Sequence, residues 1–291
     1  MASLLFLHAC TLFRPASAPS SVMPSVSSLP KEEPPVPVPN EIIPPVEIKS
    51  EPMPEIDKNN IQGNGSKQKY GFGVLMTTDG TKPGVPLEYQ RIFSQKNGLY
   101  VVPTQEKKVF LTFDLGYESG FTESLLDTLN ELEIPATFFL LGQYIEKNPD
   151  IVKRIAQDGF TVGNHSFYHE SIPVLSEREI IEDTRKCQTL FQQLTNRDMQ
   201  FYRFPRGEFS EYSLSVIHKL GYKSIFWSIA YRDWEKVPGG PIECYQNVID
   251  HIHPGAIVLM HVVTDDNFLA LPKIVQTLRE QGYTFAGLDE L

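Results

Sequence analysis

Cysteine is scarce in this chain and scattered. Cys10, Cys187 and Cys244 are the only thiols in 291 residues, and they lack the spacing of thiolate metal sites. No disulfide framework is indicated, and a Cys187–Cys244 bridge has nothing in its favour beyond the count. Both residues read as core or half-buried positions. Basic charge is short as well, with 26 Lys and Arg against 36 Asp and Glu and a formal net charge of −10. Nucleic acid demands a basic face, so it is not an expected partner. The acidic balance otherwise speaks only of solubility. Long apolar runs are absent too, and none reaches the roughly 20 residues of an ordinary membrane-spanning helix.

Aromatic residues are missing altogether between Phe13 and Tyr70, and twelve of the 23 prolines precede residue 55. A stretch such as Pro34-Pro35-Val36-Pro37-Val38-Pro39 cannot form regular hydrogen bonds or bury enough surface to offset its ordering entropy. Residues 14–66 are therefore expected to form a disordered or polyproline-like linker. Ahead of it, an apolar run from Leu4 to Phe13 and the small residues Ala16-Ser17-Ala18 read as an export signal, although no basic segment precedes them. Leu7-His8-Ala9-Cys10 resembles a lipoprotein box that would tether the chain to a membrane with the Pro-rich stretch as its stalk. A disordered terminus or a start site placed too late is the plainer alternative.

The rest of the chain has the makings of a folded domain. Residues 67–106 read as an extension packing on it, because Tyr70, Phe72 and Tyr89 bring aromatics back. From 107 to 291, short apolar runs alternate with helical periodicity. Strands are expected at 108–113, 136–140, 160–163, 201–204, 223–227, 256–260 and 284–285. Helices are expected at 121–132, from Asn148-Pro149-Asp150 to Gly159, at 176–194 behind the capping box Ser176–Glu179, and at 210–220, 242–252 and 267–281. This alternation predicts an α/β fold with a mainly parallel sheet under helices, either open or closed.

Polar clusters follow at least four of the strands, which favours a barrel whose active face collects residues from strand ends. Asp114 ends the first strand, several residues too early to cap the next helix, and a carboxylate there needs a partner or a cleft. Arg203 ends another strand and would hold Asp114 ionised. Taken alone, it also reads as a rim salt bridge. His165 and His169 stand four apart, so on a helical turn both imidazoles would face one divalent cation. The plain alternative is a pair of surface or capping histidines. His261 closes an apolar run and is a candidate general acid, with Asp233 its candidate neighbour, or else a buried histidine satisfied by carbonyls. Tyr117 and Trp234 can line a sugar site or pack in the core, as can Phe113. Trp227 reads as core.

Together these residues resemble the polysaccharide deacetylase family, carbohydrate esterase family 4. Its opening Thr-Phe-Asp-Asp-Gly is similar to Thr112-Phe113-Asp114-Leu115-Gly116, and its histidine motif to His165 through His169. Its Arg-x-Pro motif is similar to Arg203-Phe204-Pro205, its Asp-Trp pair to Asp233-Trp234, and its Leu-x-His to Leu259-Met260-His261. The resemblance implies a distorted (β/α)7-type barrel that removes acetyl groups from sugars. It implies Asp114 as base on a metal-bound water, Arg203 as its orienting partner, His261 as proton donor and Asp233 as the residue that tunes the last motifs. It also implies a divalent metal of the zinc kind on His165 and His169, with the backbone N–H of Arg206 at the oxyanion.

One position departs from the family. Leu115 stands where typical members place an Asp ligand, so the implied metal site is weak or incomplete. The same departure, with Gly116-Tyr117-Glu118-x-Gly120 and Arg206-Gly207-x-Phe209-Ser210-Glu211-Tyr212, is similar to the muramic-acid δ-lactam-forming de-N-acetylases of spore-forming bacteria. That subgroup implies an extracytoplasmic, monomeric enzyme acting on peptidoglycan glycan strands during spore cortex formation. It also implies Arg206, Tyr117 and Trp234 as substrate contacts, Arg206 pairing with a free lactyl carboxylate. A deacetylase of N-acetylglucosamine polymers, chitin or xylan is the alternative enzyme, and a catalytically silent wall-binding protein the alternative of another class.

Overall fold

The computed structural model describes residues 61–291. The expected export signal, lipoprotein box and most of the expected linker lie outside the described residues. The linker boundary shifts, because Ile61 is buried in the core. The amides of Gly63, Asn64 and Ser66 donate to Glu177, Ser215 and Glu211. An apolar side chain and three amides with partners anchor residues 61–66 that composition alone assigned to a linker. No helix of the described residues is long and apolar enough to cross a membrane.

The strands are β1 (Tyr70–Gly71), β2 (Gly98–Leu99), β3 (Lys108–Leu115), β4 (Ala136–Leu140), β5 (Thr161–Asn164), β6 (Phe201–Tyr202), β7 (Glu208–Phe209), β8 (Lys223–Ile225), β9 (Ala256–His261) and β10 (Thr284–Phe285). The helices are α1 (Leu87–Gln95), α2 (Thr122–Glu131), α3 (Gly142–Lys147), α4 (Pro149–Gln157), α5 (Glu177–Thr195), α6 (Glu211–Lys219), α7 (Gly240–Ile249) and α8 (Asp266–Glu280). The expected capping box starts α5: the Glu179 amide donates to Ser176 Oγ and the Ser176 amide to the Glu179 carboxylate. It satisfies two amides that the first helical turn leaves without partners.

Parallel pairing runs β9–β3–β4–β5–β6–β8, and a parallel bridge from Ile229 to Val258 joins the chain beyond β8 back to β9. The result is the expected distorted barrel. Side-chain alternation then sorts the chain into two environments. Along β3, Val109, Leu111, Phe113 and Leu115 join the large apolar layer beneath the helices. Phe110 joins a separate apolar cluster with Phe139, Phe201, Ile225 and Ile257, which fills the barrel. Thr112 and Asp114 continue the Phe110 side of the strand toward its carboxyl end, so the lumen turns from apolar to charged within four residues.

The N-terminal extension adds an aromatic layer. Phe72 stands 4.6 Å from the Phe226 ring and edge-on to Trp227 at 5.3 Å. The antiparallel β1–β7 pair ties it to the Arg206 turn, where Gly207 adopts φ +64°. A Cβ at Gly207 would meet Trp227 at 2.8 Å, so only glycine lets the two segments approach this closely. Trp227, read as core, is half-buried and packs against the core, and it also lines the cleft. Cys187 and Cys244 are buried free thiols.

Candidate active site

A cleft of about 960 Å³ opens at the carboxyl ends of the strands, and Asp114, Tyr117, His165, His169, Arg206, Trp234 and His261 all line it. Arg203 and Asp233 stand behind this wall, each bonded to a residue that lines it.

Asp114 and His261 are register partners on adjacent strands β3 and β9. Arg203, with no solvent exposure, donates through Nη1 to Asp114 Oδ1 at 2.8 Å and to Thr112 Oγ1 at 2.9 Å. Its remaining nitrogens reach the carbonyls of Ile225 and Phe226, and its guanidinium carbon lies 4.0 Å above the Phe139 ring. Each guanidinium nitrogen thus has an acceptor, and four of the five N–H groups are bonded, as a buried cation needs. Burial alone would push the Asp114 carboxyl up. The Arg203 charge, helped by His165 and His261, outweighs burial and holds it below the usual carboxylate range.

His261 is built the opposite way. Its Nδ1 lies 2.7 Å from Asp233 Oδ1, and its backbone amide donates to Asp233 Oδ2 at 2.8 Å. Asn267 donates to that same Oδ2 at 2.6 Å and to the His261 carbonyl at 2.9 Å, locking the pair. Burial would lower the imidazole pKa, but the Asp233 hydrogen bond and charge prevail and raise it. One carboxylate is therefore held ionised beside one imidazole held readily protonated, an arrangement suited to acid–base work.

His165 and His169 converge, with ring centroids 5.2 Å apart, but not on a helical turn as expected. Ser166 and His169 are left-handed, at φ 70° and 60°. Asp183 on α5 accepts the amides of Phe167 and Tyr168, and Asn164 accepts that of Ser166. The His165 Nδ1 sits 2.9 Å from the Arg203 carbonyl, which can only accept, so Nδ1 carries the proton. Nε2 then turns a lone pair toward Asp114 Oδ2 at 3.6 Å. Burial lowers the pKa of both imidazoles, that of His169 to about 4, so both are neutral donors. A catalytic zinc takes three side-chain ligands. Leu115 is packed in the outer apolar layer, and no three His, Cys, Asp or Glu side chains converge on one point among the described residues. The donor set falls short of a zinc site.

Tyr117 and Trp234 are 73% and 58% exposed and line the cleft, where aromatic faces are available to a ligand. Arg206 is left-handed at φ 58°, and its side chain, half exposed, lies 3.6 Å from Glu208. Asn267, Thr112, Asn164 and Asp183 were not foreseen as parts of the site. Thr112 lies inside a motif, whereas Asn267 and Asp183 are ordinary helix residues by sequence.

Comparison with known proteins places this geometry. The polysaccharide deacetylase family pattern matches residues 101–225. Over 222 residues the chain is 34% identical to the peptidoglycan-N-acetylmuramic acid deacetylase PdaA of Bacillus subtilis, covering 76% of this chain and 84% of the relative. Over 193 residues it is 33% identical to a peptidoglycan-N-acetylglucosamine deacetylase of Bacillus cereus, covering 65% and 70%. The solved structure of Bacillus subtilis PdaA, a family 4 carbohydrate esterase, superposes with a TM-score of 0.75 at 33% identity, covering 78% of this chain and 98% of the other.

Proposed function

The chain belongs to the polysaccharide deacetylase family of hydrolases, and from that premise we propose that it removes the N-acetyl group from N-acetylmuramic acid in peptidoglycan. The observation that carries the proposal is the pairing of an ionised Asp114 with a protonatable His261 across one strand interface. Asp114 takes a proton from water, which attacks the acetamide carbonyl. The backbone N–H of Arg206 faces the developing oxyanion. His261, held by Asp233, delivers a proton to the departing amine, so the C–N bond breaks to free acetate and a sugar amine. Arg203 keeps Asp114 ionised and aimed.

Muramic acid is the favoured sugar because the Arg206 side chain reaches the cleft, where its guanidinium can take a lactyl carboxylate bidentately. The freed amine and that carboxylate would then condense to the δ-lactam of spore cortex. Such work places the protein outside the cytoplasm. The second reading, N-acetylglucosamine as the sugar, is favoured by the Bacillus cereus relative.

Acetate release from peptide-stripped peptidoglycan by the wild type and by Asp114→Asn, with metal content measured on both, tests the reaction. Release by the wild type alone is expected, and equal release by both would overturn the assignment of Asp114. Arg206→Ala, assayed on strands with free and amidated lactyl groups, tests the sugar. Loss only on the free carboxylate is expected, and equal loss on both would overturn the role of Arg206.

A further inference from the structure

Tyr117 lines the cleft in the loop between β3 and α2, three residues beyond Asp114. A side chain so exposed is held by its neighbours along the chain rather than by packing of its own. On the upstream side, the Leu115 carbonyl accepts the Leu141 amide at 3.1 Å. The Gly116 backbone rests on the same Leu141, where a Cβ would lie 2.6 Å from Cδ1. On the downstream side stands Glu118, which is half-buried and does not line the cleft.

The Glu118 carboxylate collects donors from three other positions. It accepts the Gly120 amide at 2.7 Å, Thr122 Oγ1 at 2.6 Å and Tyr144 Oη at 2.6 Å. Thr122 opens α2, Tyr144 belongs to α3, and both are buried. Gly120 is left-handed at φ +86°, which glycine adopts without strain. Burial pushes the Glu118 carboxyl up, but the hydrogen bonds from Thr122 and Tyr144 outweigh it and hold it below the usual carboxylate range. Phe121, the residue before α2, supplies no side-chain cap, so one role of Glu118 is to hold the first turn of that helix. Its anchor gives it another. Tyr144 follows β4, which pairs with β3 through Asp114 and Leu115. The loop is thus fixed on both sides of Tyr117, by the strand end that carries Asp114 and by the Glu118 carboxylate.

We propose that Glu118, anchored by Tyr144, is a positioning residue that holds Tyr117 in place against the sugar. This rests on the proposed function for the class of substrate. An aromatic face packed on a sugar binds ground and transition states alike, so its displacement falls on KM. A residue that only caps α2 changes stability and leaves the KM of the folded enzyme alone.

The test is a double-mutant cycle on the full chain. It is read by acetate release from peptide-stripped glycan strands and by the Kd of the same strands in titration calorimetry. Glu118→Ala is expected to raise KM about five- to tenfold, with kcat within about twofold of wild type. Tyr117→Ala should raise KM at least as much. Adding Glu118→Ala to it should change KM by less than about twofold, because the side chain being positioned is gone. Glu118→Gln, whose amide can meet the same hydroxyls, should stay within about threefold of wild type. Tyr144→Phe keeps the ring and removes one donor, so its KM should fall between wild type and Glu118→Ala. If Glu118→Ala does not fold, Tyr144→Phe takes its place in the cycle. An unchanged KM in Glu118→Ala, a Tyr117→Ala variant that binds as wild type does, or the same increase with and without Tyr117 would overturn the inference. If the wild type releases no acetate, the proposed reaction falls, and the cycle read on Kd still decides the role of Glu118.

Discussion

The two ends of the barrel lumen are built from one stripe of side chains and serve opposite ends. At the lower end, Phe110, Phe139, Phe201, Ile225 and Ile257 form a closed apolar cluster. At the upper end, Thr112, Asp114, Arg203 and His165 form a buried polar one. They meet where the Arg203 guanidinium rests on the Phe139 ring. The lower end contributes stability by removing apolar area from water. The upper end spends it, because buried charges are at best compensated. The apolar floor makes a desolvated ion pair sustainable and holds it rigid.

The largest expected effect comes from breaking the pair at the junction. Arg203→Met leaves Asp114 buried without its cation and should cost about 3–5 kcal/mol, together with loss of activity. Urea denaturation and acetate release check both. An unchanged midpoint would show that the two ends are not coupled.

Phe139→Ala attacks the same junction from below. It removes about 3–5 kcal/mol of packing and the ring face under Arg203, so both the midpoint and kcat should fall. Retained kcat in the folded fraction would show that the floor serves packing alone.

Replacing His261 touches the rim rather than the floor. His261→Gln should lower kcat by about 10²–10⁴-fold with little loss of stability. The pH profile sharpens this. The proposed mechanism needs ionised Asp114, whose pKa is lowered, and protonated His261, whose pKa is raised. The acid limb should therefore lie below the ordinary carboxylate value and the alkaline limb above the ordinary imidazole value. The variant should lose only the alkaline limb.

Stability carries a matching signature. The depressed Asp114 pKa contributes stability above the ordinary carboxylate range, and this is lost as pH falls through the folded value. Asp114→Asn should flatten that acid dependence in denaturation midpoints followed against pH.

The smallest effect is expected from Asn267→Ala, which frees the Asp233–His261 pair from one of its holders. It should cost about 1–2 kcal/mol, with a several-fold loss in kcat.

Much of this was legible in the residues. Apolar runs and helical spacing marked the barrel strands and six of the eight α-helices among the described residues, and the capping box marked the start of α5. The strand-end positions of Asp114, Arg203 and His261 pointed to a shared site, since parallel strands carry their carboxyl ends to one face. Helix α3 and the two-residue strands β1, β2 and β7 went unseen because they are too brief to show a period, and α1 went unseen although it is as long as α4 and α6. The histidine loop was misread as helical because its left-handed Ser166 and His169 are held by Asp183, a residue from another element.

By itself the sequence determined the alternation of elements and the polar strand ends, since these depend on side-chain type and on neighbours along the chain. Only the tertiary structure decided that Arg203 bonds Asp114, that Asp233 and Asn267 hold His261, and that an N-terminal segment lines the cleft. Those properties arise from desolvation and from charges and donors brought together from distant positions, and no local pattern encodes such distances.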